Sequence, residues 1–309
     1  MIIIRHLSDI PPACRGGVVA IGNFDGLHRG HQHLIDAAKS YAEKIDEYLT
    51  VLSFEPHPKH FFAPDLPPFR LTPFAAKSDC LRRIGVDYFL CLAFEKQMAQ
   101  LSAEHFIGDI LIGGLGASAI FVGSDFVFGH NRGGHIDTLN FNAIRGNYTV
   151  HPCDLLADAD GTVISSSRIR EALKSGNPKL ATKLLGWPWQ VIGHVHHGQQ
   201  LGRSIGFPTA NISLDDYQRP QYGVYAARVH VMGRRDLPAI VNIGNRPTVD
   251  GAHEKMEIHI FDFNADLYGQ KIAVDMIDFI RPEQKFSSLD ELQKQIARDC
   301  IAAKKILQP

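Results

Sequence analysis

Residues 18–31, VVAIGNFDGLHRGH, constrain this chain more than any other stretch. Four apolar or small residues, Val18 to Ile21, have the continuous pattern of a strand buried on both faces. Gly22, Asn23, Asp25 and Gly26 then punctuate a tight turn, and from Gln32 the pattern takes on helical spacing. A strand that passes through a short glycine turn into a helix aims free backbone N–H groups and the positive end of the helix dipole at the strand's carboxyl edge. An anion such as a phosphate is stabilised there. His28 and His31 fall beside that anion.

The following residues extend the pattern. Leu34, Ala38, Tyr41 and Ile45 recur at helical spacing, and 48–54 reads as a second strand. A strand, helix, strand unit favours a parallel sheet with ligands at the carboxyl ends of its strands. The second strand enters Phe54-Glu55-Pro56-His57-Pro58, where two prolines argue against continued helix or central strand and predict an extended turn at the same edge. His57 there either faces the cleft or is solvated. Helices over 75–84 and 102–112, the latter with Ser102 as N-cap, alternate with strands over 86–93 and 118–122. Residues 123–129, GSDFVFG, follow a strand; Asp125 offers an acceptor, and Phe126 and Phe128 offer rings either to a planar ligand or to the core. In 165–170, SSSRIR, the serines either cap a helix or, with Arg168 or Arg170, hold a phosphate.

Asn177-Pro178 starts a helix that stops at Gly186, which places a domain boundary between 185 and 186. Beyond it the periodicity changes to short apolar strands over 190–195, 224–231, 238–243, 256–261 and 272–280, as in a small antiparallel barrel or sandwich. The run 198–211, GQQLGRSIGFPTAN, has glycines that let backbone approach a phosphate, with Gly202, Arg203 and Gly206 as candidates. Thr209 and Asn211 are two apart on an extended segment, so they share one side and offer hard oxygen ligands suited to Mg²⁺. Glu257 shares a strand face with His259 and is either a general base or a solvent-facing residue. A capping box at Ser288 and Glu291 predicts a closing helix with Leu292, Ile296 and Cys300 on one stripe.

Composition narrows the classes. A net charge of −1 without a basic stripe argues against a nucleic-acid partner. Five scattered cysteines suggest neither a zinc knuckle nor a disulfide framework and fit a reducing cytoplasm. The apolar start is too short for a signal peptide, and no segment approaches the roughly 18 apolar residues of a membrane span. Protein partners are not indicated.

Residues 22–31 resemble the GxFDGxHxGH signature of the adenylyltransferase superfamily, SSSRIR resembles its second phosphate motif, and GFPTAN is similar to the riboflavin kinase signature. Together with FEPHP and GSDFVFG, the combination resembles the bacterial bifunctional riboflavin kinase and FAD synthetase family from about Gly16 to near the C-terminus. The resemblance implies a Rossmann-like α/β nucleotidyltransferase domain with a parallel sheet over 1–185, and a small antiparallel β-barrel with a terminal helix over 186–309. The barrel would phosphorylate riboflavin to FMN with ATP, and the first domain would transfer AMP from ATP to FMN, releasing pyrophosphate. It assigns His28, His31 and Arg170 to the transfer, Gly22, Asn23, Phe24, Asp25 and Ser166 to nucleotide and phosphate, Thr209 and Asn211 to Mg²⁺, and Glu257 to catalysis in the kinase. His57, Asp125, Phe126, Phe128 and Arg281 become candidates for flavin contact, although some relatives carry asparagine where this chain has Asp125. Two alternatives stand beside this reading. One is a metal-dependent hydrolase using His28, His31 and His33 near Asp25, with His57 and His60 as further ligands; the other is a flavin- or nucleotide-binding regulator without catalysis.

Overall fold

A computed structural model describes residues 1–196, 206–248 and 251–308. The described chain divides into two compact units. The first comprises Met1–Pro67 and Lys77–Ser165, the second Pro68–Ala76 and Ser166–Pro309.

The first unit is a six-stranded parallel sheet. Its strands are β1 (Ile2–Ile4), β2 (Val18–Ile21), β3 (Leu49–Glu55), β4 (Tyr88–Ala93), β5 (Ala119–Gly123) and β6 (Thr149–Cys153), in the spatial order β1-β4-β3-β2-β5-β6. All four residues of β2 are buried, as a central parallel strand requires. The chain moves from β2 through α1 (Arg29–Lys44) to β3 on one side and later returns with β5 on the other. Strand order therefore reverses at β2, and the crevice beyond its carboxyl end is where such sheets bind ligands. Residues 22–28 lie at that end.

Local chemistry accounts for the helices of this unit. His28 is the N-cap of α1, its Nδ1 accepting from the backbone N–H of His31. Pro58 does not exclude a helix: it occupies the first turn of the short α2 (Pro58–Phe62), where its missing N–H has no intrahelical partner to lose, and His57 caps that helix by accepting from Lys59 N–H. The expected extended turn is thus confined to residues before His57. Next come α3 (Phe74–Ile84), α4 (Lys96–Ala99) and α5 (Ala103–His105). Ser102 caps α5 as expected, and the chain then widens into a π-helical stretch, Phe106–Gly114, seen in the Leu115 N–H bonding back to Ile110 O at 2.9 Å. The helix α6 (Ile136–Gly146) and the edge strand β1 have weak sequence patterns; β1 is only three residues long and leaves Ile2 and Ile3 largely outside the core.

The second unit begins with α7 (Ser166–Lys174) and α8 (Pro178–Leu185). Asn177 caps α8 and Gly186 ends it in the left-handed conformation that glycine adopts without strain. An antiparallel sheet follows, built from β7 (Trp189–His194), β8 (Ala210–Ile212), β9 (Gly223–Val231), β10 (Arg234–Thr248), β11 (Gly251–Ile260) and β12 (Lys271–Pro282), in the order β7-β12-β9-β10-β11-β8. Just beyond β7, His196 bridges to Asn211 of β8 through a 2.9 Å N–H to carbonyl bond, so the two edges meet and the sheet curls into a barrel. Val191, Ala227, Val229, Val241, Ile243, Met256, Ile258, Ile272, Val274 and Met276 fill the interior. The segment Pro68–Ala76 belongs to this unit: the buried Trp189 donates its indole N–H to Leu71 O at 3.0 Å, and on either side of Tyr217 the Arg70 N–H donates to Asp216 O and the Arg70 carbonyl accepts from Gln218 N–H.

The last helix, α9 (Leu289–Ile306), is capped by Ser288 and covers Val224, Ala226 and Ile240 with Cys300, Ala303 and Leu307. Asp299 fastens it to the barrel by a two-oxygen contact with Arg281, at 2.7 to 3.1 Å. Asp299 is buried, so removing its charge strands a guanidinium that has little other solvent access. Asp299→Ala is expected to destabilise the second unit by roughly 2–3 kcal/mol in urea unfolding followed by tryptophan fluorescence, below the full figure for a buried pair because Arg281 keeps some exposure.

Candidate active sites

In the first unit the site is built on the turn after β2. Phe24 and Leu27 both have left-handed backbone (φ 47° and 45°), an unfavourable state for side chains of this size, and both side chains are completely enclosed. Their burial holds the turn in a shape that isolated sequence would not choose. The Phe24 ring lies over Gly22, where a Cβ would come within 3.0 Å of it. A side chain there would press on the ring and force it to shift. Asp25 is buried, whereas Asn23 is exposed.

Two imidazoles stand at the start of α1, stacked with ring centres 3.6 Å apart and planes 17° from parallel. Gly30 leaves room for them, since a Cβ on it would sit 3.2 Å from the His28 ring. Because His28 Nδ1 accepts a backbone N–H, its ring proton belongs on Nε2, which makes that edge a donor. His31 Nδ1 is buried and has no hydrogen-bond partner among the described residues. Burial first, then the neighbouring His28 and Lys77, push the His31 pKa well below the ordinary 6.5. The pair therefore supplies uncharged N–H donors next to a helix N-terminus, an arrangement suited to charge that develops on phosphate oxygens.

Lys77 of α3 is a participant that no motif announced. It is fully buried, and its Nζ donates to Asn23 O at 2.7 Å and meets Ser53 Oγ at 3.2 Å. The available signal was its position: it shares the helical stripe of Cys80 and Leu81, both buried, where a lysine is out of place.

In the second unit the register places Asn211 of β8 directly opposite Glu257 of β11, and Asn242 of β10 opposite Glu257 on its other side. Directly opposed residues point to the same face of a sheet with Cβ atoms about 5 Å apart. The flanking Met256 and Ile258 are buried in the barrel, so Glu257 and Asn211 lie on its outer face, both half-buried. Thr209 immediately precedes β8 in the chain and lies outside that strand's ladder, which begins at Ala210. Asn242 is the residue that sequence reading missed here, because only strand pairing makes it a neighbour of Glu257. His259 Nδ1 is 2.8 Å from Pro208 O, which commits that ring to the GFPTAN segment.

The remaining candidates are distributed as follows. Phe126 and Phe128 stack on each other at 5.3 Å; Phe128 packs into the core against Phe106, while Phe126 is half-buried at its margin. Asp125 is exposed. His57 is buried with its Nδ1 engaged in capping. Ser166 opens α7, and Arg170 of the same helix donates its Nε to Phe69 O at 2.8 Å with its guanidinium 5.3 Å from the Phe69 ring centre. Arg281 directs Nε and one terminal nitrogen to Asp299 and the other to Pro282 O. Gly206 is described, with φ 87°, and Gly202 and Arg203 lie outside the described residues.

Comparison with known proteins agrees with this two-part construction. Residues 10–168 match the FAD synthetase family model and residues 185–307 the riboflavin kinase model. The bifunctional riboflavin kinase/FMN adenylyltransferase of Escherichia coli (strain K12) is 42% identical over 301 residues, 97% of this chain and 95% of that protein. The chain belongs to this family. The Pseudomonas fluorescens member is 39% identical over 312 residues, covering 100% of this chain and 99% of its own. A Streptococcus pneumoniae crystal structure described as a macrolide-efflux protein has 35% identity and a TM-score of 0.86 over 98% of both chains. Family membership replaces the metal-dependent hydrolase alternative, and among the described residues no group of three or more His, Cys, Asp or Glu side chains is arranged to hold a metal ion. No helix among them is long and apolar enough to cross a membrane.

The depressed His31 pKa has a sign that can be tested. Between the folded value and about 6.5 the unfolded chain binds more protons than the folded one, so this contribution to stability is complete above pH 6.5 and is lost as pH falls through that window. Urea unfolding between pH 7 and pH 5 should show stability falling on acidification, with a shallower fall for His31→Gln; an equal slope in the variant counts against the assignment.

Proposed function

We propose that this chain makes FAD from riboflavin in two ATP-dependent steps, phosphorylation in the barrel unit and adenylyl transfer in the parallel-sheet unit. The observation that carries the reading is the coexistence, in one chain, of a stacked histidine pair at a strand-turn-helix phosphate site and a Glu257–Asn211 pair on a barrel face. Family membership over almost the full length supports both halves.

In the first step the riboflavin 5′-hydroxyl oxygen attacks the γ-phosphorus of ATP, forming FMN and releasing ADP. That hydroxyl must lose its proton, and Glu257 is the carboxylate assigned to take it, a role that its pairing with Asn211 and Asn242 supports. Thr209 and Asn211 supply neutral hard oxygens beside it. This donor set fits Mg²⁺ held largely by substrate phosphates and water, with few protein ligands. When bound, Mg²⁺ would screen the phosphate charge. Gly202, Arg203 and Gly206 are assigned to the phosphates by the motif resemblance.

In the second step an FMN phosphate oxygen attacks the α-phosphorus of a second ATP and pyrophosphate leaves. The nucleophile is already anionic, so the site needs alignment and charge stabilisation more than a base. The Nε2–H of His28, the uncharged His31 ring and the α1 N-terminus meet that need, and the motif resemblance adds Ser166 and Arg170 to phosphate binding. His57, Asp125 and Phe126 are proposed to contact flavin; Phe128 contributes by supporting Phe126. The Arg281 guanidinium, held by Asp299, serves the flavin end of the barrel through its position beside Phe286, whose ring centre is 5.8 Å away. The five cysteines are all free thiols, which supports a cytoplasmic location.

Incubation with riboflavin, ATP and Mg²⁺ followed by chromatographic separation should yield FMN and then FAD; absence of both products in folded protein sinks the reading. Replacing both His28 and His31 by Ala should lower FAD formation by about 100-fold or more while FMN accumulates. Loss of both products in a folded variant would contradict independent sites. Glu257→Ala should abolish riboflavin phosphorylation yet leave FMN adenylylation intact when FMN is supplied, and retained kinase activity removes Glu257 from its role.

A further inference from the structure

Lys77 is a fully buried cation that the two-step scheme leaves without a task. Taking an ammonium out of water costs several kcal/mol even after the protein relaxes, so a lysine in this place needs a reason. Its Nζ donates to Asn23 O at 2.7 Å and lies 3.2 Å from Ser53 Oγ, while Ser53 Oγ donates to the same Asn23 carbonyl at 3.3 Å. Lysine and serine thus converge on one carbonyl, tying it both to α3 and to β3. The carbonyl belongs to the turn between β2 and the histidine pair, and Ser53 belongs to the adjacent strand β3.

We infer that Lys77 is a positioning residue for adenylyl transfer: its ammonium fixes the Asn23 carbonyl against β3 and sets a buried positive charge behind the turn that receives the adenylyl group. This inference rests on the reading of residues 22–31 as the adenylylation site. It explains two features together. The left-handed Phe24 and Leu27 need an anchor on the inner side of the turn, and the Lys77 contact with Asn23 provides one. Burial is the main reason His31 stays neutral; the neighbouring His28 ring, stacked on it at 3.6 Å, and then Lys77 from α3 add to it, so the lysine reinforces the uncharged state of the pair.

The test is Lys77→Met in the full chain, with circular dichroism and a urea transition matching those of the unaltered chain reporting that both units are folded, and riboflavin phosphorylation as the control activity. Expected are unchanged riboflavin phosphorylation, a fall of about 100-fold in kcat for FMN adenylylation with KM for ATP within about threefold, and an upward shift of the His31 titration midpoint followed by ¹⁵N histidine NMR. Ser53→Ala keeps the charge and removes only one contact, so it should leave the His31 midpoint in place. Adenylylation by Lys77→Met within about threefold of the unaltered chain overturns the inference. So does a fall in kcat with an unmoved His31 midpoint, which marks a merely structural lysine. If Lys77→Met does not fold, Lys77→Arg, which keeps the charge but moves the donor away from Asn23 O, decides: a fall of more than about threefold in kcat for FMN adenylylation with unchanged riboflavin phosphorylation supports the inference, and a kcat within about threefold overturns it. An unaltered chain that makes FMN but converts no supplied FMN to FAD removes the underlying site reading, and Lys77 with it, whereas failure confined to the variant comparison removes Lys77 alone.

Discussion

A strand buried on both faces has to end somewhere, and the way β2 ends governs the first unit. Its four residues are enclosed by β3 and β5, so the chain leaves the sheet at the point where strand order reverses. The backbone must then turn within a few residues and start a helix whose first N–H groups have no internal partner. The turn solves this with buried Phe24 and Leu27 in an unfavourable backbone state and with a histidine side chain in place of the usual serine or aspartate cap. A capping imidazole satisfies one of those N–H groups with Nδ1 and keeps an N–H donor on Nε2, which a carboxylate cap cannot do. On the proposed reading, fold and phosphate chemistry use opposite edges of one ring.

The barrel unit reaches its site by a different route, through register. Glu257 has no special backbone and no helix behind it. What gives it chemical context is the pairing of β11 with β8 on one side and β10 on the other, which lines up Asn211, Glu257 and Asn242 on one face. A slip of one residue in either pairing would turn Glu257 toward the apolar interior occupied by Met256 and Ile258. The alternation of those apolar residues with Glu257 and His259 is thus as important to the site as the polar residues are.

Much of this was legible in the sequence because short-range rules apply to it. The presence of a turn after β2, though not its left-handed shape, the Ser102, Asn177 and Ser288 caps, the change of periodicity after Gly186 and the barrel strands follow from local propensity and pattern. What escaped depends on contacts between distant residues. Pro58 looked like a breaker and opens a helix, because whether a proline is tolerated depends on which helical position it takes. Lys77 and Asn242 carry no motif and acquire meaning only from neighbours 54 residues away in one case and a paired strand away in the other. Phe126 and Phe128 admitted both a ligand and a core reading; the structure puts Phe128 in the core and leaves Phe126 at its edge, since only the first has Phe106 beside it.

The membership of Pro68–Ala76 in the second unit bears on how separable the two halves are. A fragment beginning at residue 186 retains every barrel strand but not the Leu71 carbonyl that receives the Trp189 indole N–H in the barrel interior, nor Arg70 beside Tyr217. An enclosed donor left without its acceptor costs on the order of 1–3 kcal/mol. Gene fission between the two activities would therefore have to be followed by repair around Trp189, so this nine-residue loan from the first half of the chain favours keeping both activities on one polypeptide.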